Sequence, residues 1–167
     1  MVELALLAIV AGVILAGAAY DAATLTIPNW ISLVLLALFP VLAVSTGLGW
    51  GAFGAHLAVG FVALIIGMGL FSANIIGGGD AKLFAAVALY MGFGLAGAYV
   101  FAVAIAGGVL AAAMLAIRWL AASPYGAVLP SRLAGTQSGM PYGIAIAAGG
   151  LFVLPTTQLF VLASAGI

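Results

Sequence analysis

The sequence has no cysteine, one histidine and almost no charge, with charged residues at 4% of its 167 positions. The missing cysteine removes disulfides, thiol nucleophiles and cysteine metal clusters. A lone histidine, His56, argues against a histidine-based zinc site, and neither metal nor cofactor is expected. A soluble domain carries roughly 25% charged residues. A surface with so few charges could not stay in water, so the solvent must be mostly lipid. Net charge is zero, and nothing in it points to nucleic acid or an anionic surface as a partner.

What is present is apolar: hydrophobic residues make up 68% of the chain. A spanning helix needs about 20 of them, so the length has room for five or six spans and little else. The expected fold is all-α: a polytopic membrane protein of about six transmembrane helices, forming a single domain over residues 1–167. The apolar runs are Leu4–Tyr20, Trp30–Ser45, Ala52–Phe71, Ala81–Met91, Ala98–Leu120 and Met140–Leu162. The first lacks a basic flank and a small-residue cleavage site, and reads as a retained span rather than a signal peptide. Pro28 sits where the second helix would start, because its missing N–H costs nothing in a first turn. Pro155 is a possible kink in the last run.

The fourth run is short, rising only about 16 Å as a helix. Extending it to Gly97 makes a full span with glycines inside, although residues 92–97 can also turn the chain. Charge favours six crossings. Lys82, Arg118 and Arg132 then share one side with Asp21 and Asp80, while Glu3 and His56 lie toward the other. Basic residues gathered on one side mark the cytoplasmic face. Both termini are then expected outside and both aspartates at the cytoplasmic edge of a bacterial inner membrane.

An ionisable residue within or beside a span is a functional candidate by default. Asp80 follows Gly77, Gly78 and Gly79 and could simply cap the helix it precedes. Asp21 ends a helix, where the macrodipole disfavours a carboxylate, so capping does not explain it. As a pair they suggest a reaction. Two carboxylates brought close share a proton, so one can serve as general base on a water and the other as general acid. That is peptide hydrolysis without metal, serine or cysteine. The glycines before Asp80 would let a substrate backbone approach closely. Asp80, at a helix start beside Lys82, is the expected base, and Asp21 the expected acid.

Three motifs carry a resemblance. Asp21 followed by Ile27-Pro28-Asn29, then Gly77-Gly78-Gly79-Asp80-Ala81-Lys82-Leu83, then Pro141-Tyr142-Gly143 resemble the type IV prepilin peptidases, nearest to the short Tad/Flp-pilus members. The resemblance implies an aspartic endopeptidase that removes prepilin or pseudopilin leader peptides at the cytoplasmic face, with Asp21 and Asp80 catalytic. It makes Gly77 and Gly79 the glycines of the G-x-G-D motif and Lys82 its lysine. Longer members carry a cytoplasmic loop with paired cysteines, associated with N-methylation of the new terminus. This chain has neither, so no methyltransferase activity is expected.

Supporting positions read less sharply. Lys82 is as well explained by an ammonium reaching for the interface as by support of Asp80 or contact with substrate. Pro28 and Asn29 start a helix, and Asn29 could also bond Asp21. Pro141 and Tyr142 could shape the rim of the site, Tyr142 as a donor or in packing. Arg118 with Trp119 reads as an interface anchor, Arg132 as a lipid or substrate contact, and His56 as structural.

Two other readings stand beside this one. Tyr20-Asp21 and the G-x-G-D are also similar to the presenilin and signal-peptide-peptidase group, but its further spans and its late Pro-Ala-Leu motif are not visible. A small transporter could use two acids as a proton relay, but would be expected to show repeat symmetry.

Overall fold

The computed structural model describes residues 1–121 and 139–165. Among them every regular element is helical. The helices are α1 (Val2–Thr24), α2 (Asn29–Ser45), α3 (Trp50–Ser72), α4 (Gly78–Ala121), α5 (Tyr142–Val153) and α6 (Gln158–Ala165), with a 3₁₀ turn Leu154–Thr156 between the last two. Arg132, read from the sequence as a lipid or substrate contact, lies outside the described residues.

Large apolar side chains such as Leu33, Phe61, Ile65, Val109, Leu115 and Phe152 are exposed around the outside. In water that would be untenable; in lipid it is the solvated surface. Inside, α2 buries Ile31, Leu35, Phe39 and Leu42 at helical spacing. Helix α3 offers its neighbour a stripe of small residues, Gly60, Ala63 and Gly67. A methyl group added at Gly67 would lie 3.1 Å from Ala81 Cβ. The glycine thus lets α3 and α4 touch backbone to backbone, the closeness that membrane helices use in place of a hydrophobic drive.

Helix α4 is a broken element. At Gly92 the backbone takes φ 65° and ψ 178°, a conformation that suits glycine. Beyond the break the chain folds back: the Phe84 and Tyr99 rings stack at 5.0 Å, and Tyr99 O–H donates to the Phe84 carbonyl. His56 holds the turn from below, its Nδ1 2.7 Å from the Leu89 carbonyl. It is buried there, stacked on Phe39 and away from the aspartates, as expected of a structural residue. The fourth run therefore gains length at its start, absorbing Gly78 and Gly79. It ends at Gly92, short of Gly97.

Among the described residues, three elements can cross a membrane by length and hydropathy: α1, α3 and the whole of α4. A fourth is added if α5 and α6, bent by 47° at a short break, count as one. Pro155 lies in the 3₁₀ turn just before that break. The expected count of six is not reached on this measure: α2 has 17 residues and the two limbs of α4 count once.

Candidate active site

The end of α1, the starts of α2, α4 and α5, and the segment between α1 and α2 meet at one end of the bundle. Helix α1 runs three residues past Asp21 and closes on Leu25, whose φ of 54° is left-handed and whose N–H bonds the Asp21 carbonyl. Thr24 Oγ1 donates to the Tyr20 carbonyl and lies 2.8 Å from Thr26 Oγ1, shaping the exit. Pro28 is the residue just before α2, one position earlier than its sequence setting suggests, and Asn29 is the first within it.

Asp21 sits in the last turn of α1 and is only 3% exposed. A carboxylate at that position has no free backbone donors on its own helix. The donor comes from elsewhere: Gly143 N–H, in the first turn of α5, donates to Asp21 Oδ2 at 2.6 Å. Side-chain room explains why glycine stands there. A methyl group at 143 would lie 2.9 Å from both Asp21 Cβ and Oδ2, and 3.1 Å from Ile27 Cδ1.

Asp80 is the third residue of α4. Its Oδ2 accepts from Gly77 N–H at 3.3 Å, the backward half of a capping box. Its Oδ1 is buried and has no hydrogen-bond partner. Gly79 packs its backbone on the chain between α1 and α2: an added methyl would lie 3.0 Å from Ile27 Cβ and 3.2 Å from Ile27 N. Ile27 is thus gripped by the glycine before Asp80 and by the glycine that holds Asp21. The grip holds the end of α1 that carries Asp21 and the start of α4 that carries Asp80 against the same residue.

The supporting residues divide. Lys82, two positions on from Asp80, lies on another face of the helix. Its Nζ donates to Asn29 Oδ1 at 2.9 Å, so Asn29 is engaged with Lys82 and not with Asp21. Among the described residues the one ion pair joins the N-terminal amine to Glu3. Lys82 thus makes no direct contact with the Asp80 carboxylate. Pro141 precedes α5 and Tyr142 opens it. The Tyr142 hydroxyl packs at Gly107, where an added methyl would lie 2.7 Å from it, and Tyr142 has no hydrogen bond to either carboxylate. Gly78 packs against the Phe71 ring.

The sequence left Tyr142 open between donor and packing, and in the structure its hydroxyl packs at Gly107. The donor is the backbone of Gly143. Glycine directly after the opening of a helix was the available signal.

A groove of about 560 Å³ opens beside Asp80 between α3 and the second limb of α4. Phe84, Tyr99, Tyr142, Ile146 and Val103 are among its walls, and Asp80 is the only charged residue among the described residues that line it. No group of three or more histidine, cysteine or acidic side chains suited to a metal occurs among the described residues. Two carboxylates at one end of a bundle, one oxygen of each held by an amide, could exchange a proton through a water if both reach it.

The family model described as the type IV leader peptidase family matches residues 7–117, about two thirds of the chain. The match spans both aspartates and stops short of Gly143. No curated protein and no solved structure matches the chain.

Proposed function

Because the chain belongs to the type IV leader peptidase family, we propose that it is an aspartic endopeptidase that removes leader peptides from type IV or Flp-type prepilins. The observation that carries the aspartic reading is that Gly79, just before Asp80, and Gly143, which holds Asp21, both pack on Ile27 at one end of the bundle. In the proposed reaction a water lies between the two carboxylates. The ionised one takes a proton from the water as its oxygen attacks the scissile carbonyl carbon. The protonated one gives its proton to the carbonyl oxygen. The tetrahedral diol collapses: the C–N bond breaks, the leaving amine takes a proton from the first carboxylate, and a diol hydroxyl returns its proton to the second as the new C=O forms.

Asp80 is the proposed base. Its unpartnered Oδ1 is the oxygen free to take up the water proton, whereas Asp21 is fixed by Gly143. Gly77, Gly78 and Gly79 keep the approach to Asp80 clear of side chains. Pro28, Asn29 and Pro141 set the helix starts around the site. The groove beside Asp80 is proposed to take the apolar stretch of the substrate, with Tyr142 in its wall. The site is proposed to face the cytoplasm across the inner membrane, with no methylation of the new terminus.

The test is coexpression with candidate prepilins, reading leader removal by mass spectrometry for wild type and Asp80→Asn. Cleavage by wild type alone supports the assignment, and equal cleavage by both rejects it. The native chain lacks cysteine, so single-cysteine labelling settles the orientation. Ala23→Cys should react only from the cytoplasm and Thr46→Cys only from outside. With a methyl donor present, purified protein should leave the mature pilin without added methyl mass.

A further inference from the structure

We propose that the face of α4 turned away from Asp80 holds one anionic phospholipid, with its phosphate at Lys82 and an acyl chain in the cleft between α2 and α3. The cleft is larger than the groove beside Asp80, about 800 Å³, and is floored by Ala85, Ala86 and Leu89 of α4. Its walls are Leu33 and Leu36 on one side and Leu57 and Phe61 on the other. Polar groups gather near the end where α2 and α4 begin. Lys82 and Asn29 line the cleft and are bonded to each other, and Ser32 lies one turn further along α2. Ser32 Oγ is buried and has no partner.

The charge has no internal answer. The chain has three acidic residues, Glu3, Asp21 and Asp80. Glu3 pairs with the N-terminus, Asp21 with Gly143 and Asp80 with Gly77. Among the described residues no carboxylate forms an ion pair with Lys82. An ammonium held by a neutral amide at the mouth of an apolar cleft matches a molecule with an anionic head and a hydrocarbon tail. Ser32 adds a hydroxyl able to donate to a headgroup oxygen. The groove beside Asp80 has the opposite polarity, carrying a carboxylate, and does not suit an anionic head.

The test does not depend on peptidase activity. The full chain, purified in mild detergent, is offered equal amounts of phosphatidylglycerol and phosphatidylcholine, and retained lipid is read by native mass spectrometry. Wild type should keep one phospholipid and favour phosphatidylglycerol by about fivefold, the value of one lysine at a membrane surface. Lys82→Gln, at an exposed position, should lose the preference but keep the lipid. Leu36→Trp, filling the cleft, should lose the lipid itself, with helix content by circular dichroism showing that the fold persists. Equal retention of the two lipids by wild type, or wild-type retention by both variants, overturns the proposal. A photo-crosslinker at Leu57 should capture lipid in membranes. Capture of the prepilin in place of lipid would instead make the cleft a substrate site and overturn the proposal.

Discussion

Asp21 and Asp80 are seated by the same device at different tightness. Each has one carboxylate oxygen on a backbone N–H near the start of a helix, and each donor is a glycine whose added methyl would lie 2.9 Å from that oxygen. For Asp21 the donor belongs to a distant helix, the bond is 2.6 Å, and the surroundings are closed. For Asp80 the donor is three residues away, the bond is 3.3 Å, and the second oxygen is unused. The comparison separates a carboxylate that the fold closes in from one left with an unused oxygen. It also shows how a bundle of apolar helices places a buried carboxylate: it spends one glycine to bring a backbone amide within reach.

The comparison predicts a graded set of effects. Asp21→Asn and Asp80→Asn keep shape but remove the exchangeable proton. Each should lower leader removal by about 10²–10⁴-fold, the usual worth of acid–base participation, measured by mass spectrometry of pilin. Gly143→Ala comes next. Its methyl meets both Asp21 and Ile27 in closed space, so the amide must withdraw, and cleavage should fall by about ten- to a hundredfold as an orienting hydrogen bond is lost. Gly77→Ala should cost less, about two- to fivefold, because its methyl meets only the Asp80 carboxylate on an exposed turn that can adjust. Equal losses for the two alanine variants would remove the distinction between the seats. Tyr142→Phe should change the rate least, by less than about threefold, since the hydroxyl bonds neither carboxylate. A loss like that of Gly143→Ala would show that the hydroxyl acts on substrate.

The parts legible in the sequence are those that lipid makes costly. A carboxylate beside a span stands out against an apolar background, so Asp21 and Asp80 were visible without structure. The helical class followed from composition, because a spanning backbone must satisfy its own hydrogen bonds. What stayed hidden depends on relations across the chain. The Gly143 donor lies 122 residues from Asp21, and no local pattern connects them. Lys82 looked like a neighbour of Asp80 because the two are close in sequence, yet helical geometry turns them to different faces. The break at Gly92 was one of several glycines where the chain could turn. Its position depends on His56 of another helix beneath it.

The central claim is that the two carboxylates act as one unit on a shared water. The most direct measurement is the rate of prepilin leader removal by wild type, Asp21→Asn, Asp80→Asn and the double variant, in the same lipid. If the carboxylates form a unit, each single variant should fall nearly as far as the double, because residues that act together lose their contribution once. Single losses that multiply to give the double, or substantial cleavage by either single variant, would contradict a shared site.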